Sequence, residues 1–364
     1  MKKFFYFIIL SISLIFFILL VDFTASNTVL KQNHCYQYFE YYYDLKKNCS
    51  GKNRFKSSFP LVNMYTDEMG LRVGKYQIEK KENKKNIFIF GDSFTYGVGL
   101  EEEDTYAGML AKNLKEFNTY NFAVGSYSPS VHLYKLKKAL EKNLIPEKVL
   151  VFLDMTDVLD EATRWIYDKN KNEVRLSNNR VFLHEQNKNK DFKNKNFKLL
   201  KNITSYINFN LRIFREKTKT KISNTVNIKQ SIQGSFTYTD LQKLDKRFWK
   251  DGTFNKGLKN IESRINEINQ IALENNFMVY LVVYPWAETL AFGQNKFNWS
   301  DFAKSICNID SCKLIDTIPA FENYKATNKL WNSDLYFVND EHFNKKGDQL
   351  VFKTIINELK KEKN

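Results

Sequence analysis

The chain opens on an uncharged, mostly apolar run, Phe4–Val21, with Lys2 and Lys3 before it and Asp22 after it. At about 1.5 Å per residue, a helix of that length just spans a bilayer. Beyond it, short apolar runs alternate with helical patterns. The runs are Ile87–Phe90, Thr119–Ala123, Lys148–Leu153, Met278–Tyr284 and Lys313–Asp316. Helical spacing covers about 104–117, Ser130–Asn143, Leu258–Asn275 and Gly347–Lys361. Brief continuous apolar runs suit strands buried on both faces, and their alternation with helices predicts a parallel sheet with helices on either side. In such sheets the chemistry collects beyond the carboxyl ends of the strands.

Two stretches lack a period. Residues 24–64 mix polar and aromatic positions and predict a stalk or an irregular subdomain. Thr66–Arg72 reads as a turn into an edge strand, and Glu79–Lys85 as a charged linker. Residues of about 165–255 are rich in Lys and Asn around an apolar patch that includes Phe197, Leu199, Leu200, Ile203, Ile207 and Leu211. They predict a partly helical insertion, either a surface excursion or a lid or contact surface. The expected divisions are therefore a membrane anchor over 1–23, a stalk or subdomain over 24–85, and an α/β domain over 86–364 carrying the insertion.

Charge and cysteines bear on compartment. Of 364 residues, 56 are Lys or Arg and 41 are Asp or Glu, a net charge of +15. The lysines are scattered among asparagines with no single stripe, which speaks against nucleic acid as a partner. Lys2 and Lys3 should stay in the cytoplasm, so the remainder is expected outside it. Thr24-Ala25-Ser26 is a poor cleavage site, which favours an uncleaved anchor over a removed signal peptide. Four cysteines allow three pairings, and the local one, Cys35–Cys49 with Cys307–Cys312, is simplest. Neither spacing is a zinc pattern, and no metal or organic cofactor is expected.

The densest chemistry lies in Ile87–Gly97, where an apolar strand ends on Gly91-Asp92-Ser93 and a helical pattern follows. A serine at a strand-to-helix turn is lifted above the sheet edge, and its N–H sits at a helix start that favours negative charge. A nucleophilic serine needs a base. Of four histidines, His34 sits beside a cysteine, His132 lies in a helix and His184 in the basic insertion. His342 stands in a polar loop before the last helix, with Asp340 two residues earlier to orient it.

Gly91-Asp92-Ser93-Phe94 resembles the first conserved block of the SGNH or GDSL hydrolase superfamily. Gly125 after the second strand is similar to the second block, and Asp340-x-His342-Phe343-Asn344 to the last. The resemblance covers roughly 86–160 and 277–360. It implies a flavodoxin-like three-layer α/β/α sandwich and ester hydrolysis or acyl transfer through an acyl-serine. Ser93, His342 and Asp340 would be the catalytic set, with the Ser93 and Gly125 N–H groups as oxyanion donors. Two departures stand out. The family's Gly-x-Asn-Asp block reads Asp154-Met155-Thr156-Asp157 here, which places Thr156 at the donor position beside Asp154 and Asp157. The family's acid three residues before histidine is Asn339 here, so Asp340 is the expected partner. Asp92, Asp154, Asp157 and Asn339 are secondary candidates. Asp154, Asp157, Asp160 and Glu161 also form an acidic run that a cation could use.

The expected activity is an extracytoplasmic serine hydrolase or O-acyltransferase acting on acyl esters, O-acetyl foremost, of a cell-envelope glycan. Transfer would call for a membrane partner supplying the acyl donor. The rival expectations are a glycan-binding or assembly protein without turnover, and a lipase or thioesterase with a long groove under the insertion.

Overall fold

The computed structural model describes residues 2–28, 35–55, 59–76, 79–177, 253–294, 297–337 and 340–361, with the single positions 203, 207 and 211. The apolar run forms one helix, α1 (Lys2–Asn27). Five short strands follow: β1 (Tyr36–Tyr38), β2 (Tyr43–Leu45), β3 (Ser50–Asn53), β4 (Val62–Thr66) and β5 (Arg72–Val73). β1 and β2 make an antiparallel hairpin, and β3-β4-β5 an antiparallel sheet. None exceeds five residues, too short for a two-residue period to stand out. Asp67 holds the turn into β5 by accepting from the Met69 and Leu71 N–H groups at 2.9 Å.

The α/β region then runs β6 (Lys85–Phe90), α2 (Ser93–Tyr96), α3 (Tyr106–Asn113), β7 (Phe117–Asn121), α4 (Pro129–Leu140), β8 (Lys148–Leu153) and α5 (Met155–Thr163). A hairpin, β9 (Trp165–Asp168) and β10 (Glu173–Leu176), opens the segment where the sequence loses its period. Beyond Ser177, most of the expected insertion lies outside the described residues, Phe197, Leu199 and Leu200 included; Ile203, Ile207 and Leu211 are helical and exposed. The chain resumes with α6 (Phe254–Asn275), β11 (Met278–Val283), α7 (Ala287–Phe292), α8 (Trp299–Ile306), β12 (Cys312–Asp316), α9 (Ile318–Thr327), α10 (Trp331–Leu335) and α11 (Lys345–Lys361).

The five expected central strands form one sheet in the order β12-β11-β8-β6-β7, every neighbour parallel. Helices α4, α5 and α6 pack together on one face, and α3, α9 and α11 on the other. This is the three-layer, doubly wound α/β/α arrangement. Ile87, Phe88 and Ile89 of β6, Val149–Val151 of β8 and Leu281–Val283 of β11 are fully buried, which is why those strands read as continuous apolar runs. β7 starts two residues before its apolar run because Asn118 is built into it. The Asn118 side chain accepts from the Lys81 N–H at 2.9 Å and donates to the Lys81 carbonyl at 2.7 Å, clamping the preceding loop. The chain reverses its winding between β6 and β8, so their carboxyl ends flank a cleft. Both cysteine pairs are disulfides in the local pairing, Cys35–Cys49 and Cys307–Cys312.

Candidate active site

β6 ends at Gly91, and a one-turn helix starts at Ser93. Asp92 caps it by accepting from the Phe94 N–H at 2.9 Å. A Cβ on Gly91 would stand 1.9 Å from Thr95 Oγ1, so the turn admits only glycine. Arg72 of β5 pins the chain that follows: its guanidinium donates to the carbonyls of Tyr96, Gly97 and Leu100 and pairs with Glu102 at 3.0 Å. The serine turn is thus held from both ends before any chemistry begins.

His342 reaches this turn from the far end of the chain. An isolated bridge, Tyr336 to Phe343, closes the loop that carries it, and Phe337 N–H donates to the His342 carbonyl at 2.9 Å. Asn344 then accepts from the Lys346 N–H at 2.9 Å at the start of α11. His342 Nε2 lies 2.8 Å from Ser93 Oγ, and its Nδ1 lies 2.5 Å from Asp340 Oδ1. The same Asp340 oxygen accepts from the His342 backbone N–H at 3.1 Å. Both residues are buried, and the rings of Phe94 and Phe55 lie 4.8 and 5.3 Å from the imidazole. Burial works to lower the His342 pKa, but the Asp340 hydrogen bond and the charges of Glu341, Asp340 and Asp92 outweigh it, and the pKa is raised. Asp340, Glu341 and His342 are also close enough to share a cation. Both ring nitrogens, however, are already engaged, one by the aspartate and one by the serine.

Gly125 lies beside the serine. A Cβ placed on it would stand 3.9 Å from Ser93 Cβ and 3.5 Å from Tyr36 Oη, and Tyr43 Oη donates to its carbonyl at 2.8 Å. Among the described residues, the Ser93 and Gly125 N–H groups have no acceptor. The space over Gly125 is therefore bounded by a hydroxyl nucleophile and by two N–H groups with nothing to bond.

The acids around the turn form a second layer. Asp92 Oδ2 accepts from Ser93 Oγ at 3.2 Å and from Thr156 Oγ1 at 3.3 Å, while its Oδ1 accepts from Tyr284 Oη at 3.2 Å. Thr156 Oγ1 also donates to Asp154 Oδ1, and Trp286 Nε1 donates to Asp154 Oδ2 at 3.0 Å. Asp157 reaches back to the Asp154 N–H at 2.9 Å, completing a capping box at the start of α5. Burial, and next the Asp154 charge, push Asp92 up to about 7. Burial also raises Asp154, and raises Asp157 strongly with Asp154 and Asp92 adding to it. Thr156 has one proton and two carboxylate acceptors, so its hydroxyl points into this layer. Asp160 and Glu161 turn elsewhere: Asp160 pairs with Arg164 at 2.6 Å, and Glu161 accepts from Ser128 and Ser130.

One site thus gathers Ser93, His342, Asp340, Asp92, Gly125, Thr156, Asp154 and Asp157; Asn339 lies outside the described residues, as do His34 and His184. His132 is buried in α4 against Phe90, and burial pushes its pKa down to about 3, far from a working base. Sequence reasoning missed the walls. Tyr36 and Tyr43, from the stretch without a period, border Gly125, and Phe55 and Phe59 pack on His342. Tyr284 and Trp286 follow the end of β11, where strand-end logic could have found them.

The fold and the site define a doubly wound α/β domain with a strand-end serine linked to a loop histidine and aspartate. No protein-family model matches the chain, and no curated protein matches it. Solved structures of similar fold are hydrolases. An acetylxylan esterase from Geobacillus stearothermophilus is 12% identical, over 77% of this chain and 96% of its own, with a TM-score of 0.40. A lipolytic protein of the G-D-S-L family from Veillonella parvula is 10% identical, over 75% and 97%, with a TM-score of 0.41. An esterase from Pseudoalteromonas is 13% identical, over 76% and 98%, with a TM-score of 0.39.

Proposed function

We propose that this chain is a membrane-anchored serine ester hydrolase or acyltransferase of the SGNH type. The observation that carries the reading is the continuous chain Ser93 Oγ to His342 Nε2 and His342 Nδ1 to Asp340, beside two N–H groups without acceptors. Ser93 Oγ attacks the ester carbonyl carbon while His342 takes its proton. Asp340 fixes the imidazole tautomer and stabilises the imidazolium. The carbonyl oxygen, now an oxyanion, is held by the Ser93 and Gly125 N–H groups, each donor of this kind being worth about 3 kcal/mol. As the tetrahedral adduct collapses, the alcohol leaves with the histidine proton and the acyl group stays on Ser93. Water or a sugar hydroxyl, deprotonated by His342, then takes the acyl group and restores the serine. Asp92 and Asp154 are best read as the frame of the serine turn.

The substrate we favour is an O-acetyl ester of a cell-envelope glycan, reached outside the cytoplasm. The apolar α1 and the two disulfides support that placement. The divisions 1–23, 24–85 and 86–364 are proposed as anchor, site-walling subdomain and catalytic domain. The test is turnover of p-nitrophenyl acetate by the full chain beside Ser93→Ala and His342→Ala, with a fluorophosphonate probe to label the serine. Turnover that both variants abolish supports the reading. An inert wild type that also resists the probe would favour the glycan-binding alternative.

A further inference from the structure

The chain enters its folded part at the mouth of the site. α1 ends at Asn27, and its last turn closes with the Thr28 N–H on the Thr24 carbonyl at 3.0 Å. Seven residues on (35 − 28), Cys35 is fully buried and disulfide-bonded to Cys49. Seven steps of extended chain reach about 25 Å at most. The next residue, Tyr36, is the one whose hydroxyl borders Gly125 and, across it, Ser93. The membrane helix is therefore tied to the catalytic mouth and not to the back of the sheet.

The surface around that entry has the chemistry of a membrane interface. Tyr38, Phe39, Tyr41 and Phe55 are 42–49% exposed. Tyr38 stacks on Tyr36 at 6.1 Å, and Phe55 stands over His342, so these rings rim the mouth. Exposed Lys47 and Lys52 lie in the same stretch. Half-exposed aromatic rings favour the headgroup layer, and cations beside them favour anionic lipid. A short tether adds a high effective concentration of that surface to whatever affinity the rim has alone.

We infer that the mouth docks on the anionic membrane surface that holds α1 and takes its acyl ester from a lipid-anchored carrier in that leaflet. This rests on the serine esterase reading and narrows its substrate from envelope esters at large to those borne by an amphiphile at the bilayer.

The experiment uses the full chain in vesicles of phosphatidylcholine and phosphatidylglycerol. Two probes run side by side: soluble p-nitrophenyl acetate, and a phosphatidylethanolamine whose headgroup carries an acetylated umbelliferone. One variant inserts six Glu-Ala-Ala-Ala-Lys repeats after Thr28, which lifts the domain by about 45 Å where helical. A second replaces Phe39 with Ser and Lys47 and Lys52 with Glu. Both variants should keep p-nitrophenyl acetate turnover and vesicle retention, and lose about tenfold or more on the lipid-borne ester. Removing phosphatidylglycerol should lower only the lipid-borne rate of the wild type. Undiminished lipid-borne turnover by the spacer variant would overturn the proposal. So would a wild type that cleaves soluble acetylated xylo-oligosaccharide as efficiently as the lipid probe. A wild type inert on both probes overturns the esterase reading itself, a result that the p-nitrophenyl acetate arm distinguishes.

Discussion

Asp92→Asn tests how the serine turn is built. Asp92 is 3% exposed and takes four hydrogen bonds, from Phe94 N–H, Tyr284 Oη, Ser93 Oγ and Thr156 Oγ1. Burial and Asp154 raise its pKa from 3.8 to about 7. An acid with a raised folded pKa weakens the fold as pH climbs, because the unfolded chain releases the proton first. At about 1.4 kcal/mol per pKa unit, this shift removes about 1.7 kcal/mol at pH 5 and about 4 kcal/mol at pH 8. Asn keeps an oxygen for Phe94 N–H and Tyr284 and offers an N–H₂ to the two hydroxyl oxygens, so the neutral residue retains the frame without the charge. Asp92→Asn should therefore stabilise the protein, and more so at high pH. The gain over wild type should grow by about 2.6 kcal/mol from pH 5 to pH 8. For a domain of this size that is roughly 5–10 °C in melting temperature. Thermal melts of the detergent-solubilised full chain at both pH values read it directly. A melting difference that does not change with pH would refute the argument, and with it the view that Asp92 is a buried acid held near neutrality by its neighbours.

Other outcomes follow from the same geometry. Asp340→Asn leaves His342 in the wrong tautomer and should lower kcat by about 10³–10⁴ with the fold intact by circular dichroism. Because His342 is raised above its usual 6.5, kcat/KM should rise with pH and reach half its plateau above pH 6.5; an acid limb at lower pH would contradict the Asp340 and Asp92 influence. Gly125→Ala puts a methyl where it meets only ordinary contacts at 3.5 and 3.9 Å, so the melting temperature should hold. Esterase turnover should nonetheless fall about tenfold to a hundredfold, since the methyl occupies the space between Ser93 and Tyr36. Replacing Cys35 and Cys49 with Ser opens a loop of sequence separation 14, which should cost about 3 kcal/mol and loosen Tyr36 against the site; the check is urea denaturation together with the KM for p-nitrophenyl acetate.

What the linear sequence determined is local and periodic. Runs such as Val149–Phe152 and Val279–Val283 are apolar at every position because both faces of the strand are covered, and that alone predicted a parallel sheet with helices on each side. Gly91-Asp92-Ser93 at a strand end carried the serine, because only a tight turn needs that glycine and only a cap needs that acid. Scarcity singled out His342, with four histidines and one in a polar loop beside acids. The tertiary structure decided what depends on distant chain meeting distant chain. His342 lies 249 residues from Ser93, and no spacing rule sets their 2.8 Å contact. Thr156 could be aligned with a donor position, but its hydroxyl proton is drawn by Asp92 and Asp154, a competition visible only once three strand ends converge. The aromatic stretch 36–59 shows no period because its strands are short and its side chains serve another surface. Its role as the wall of the site, and the link it makes between membrane helix and mouth, exist only in the folded chain.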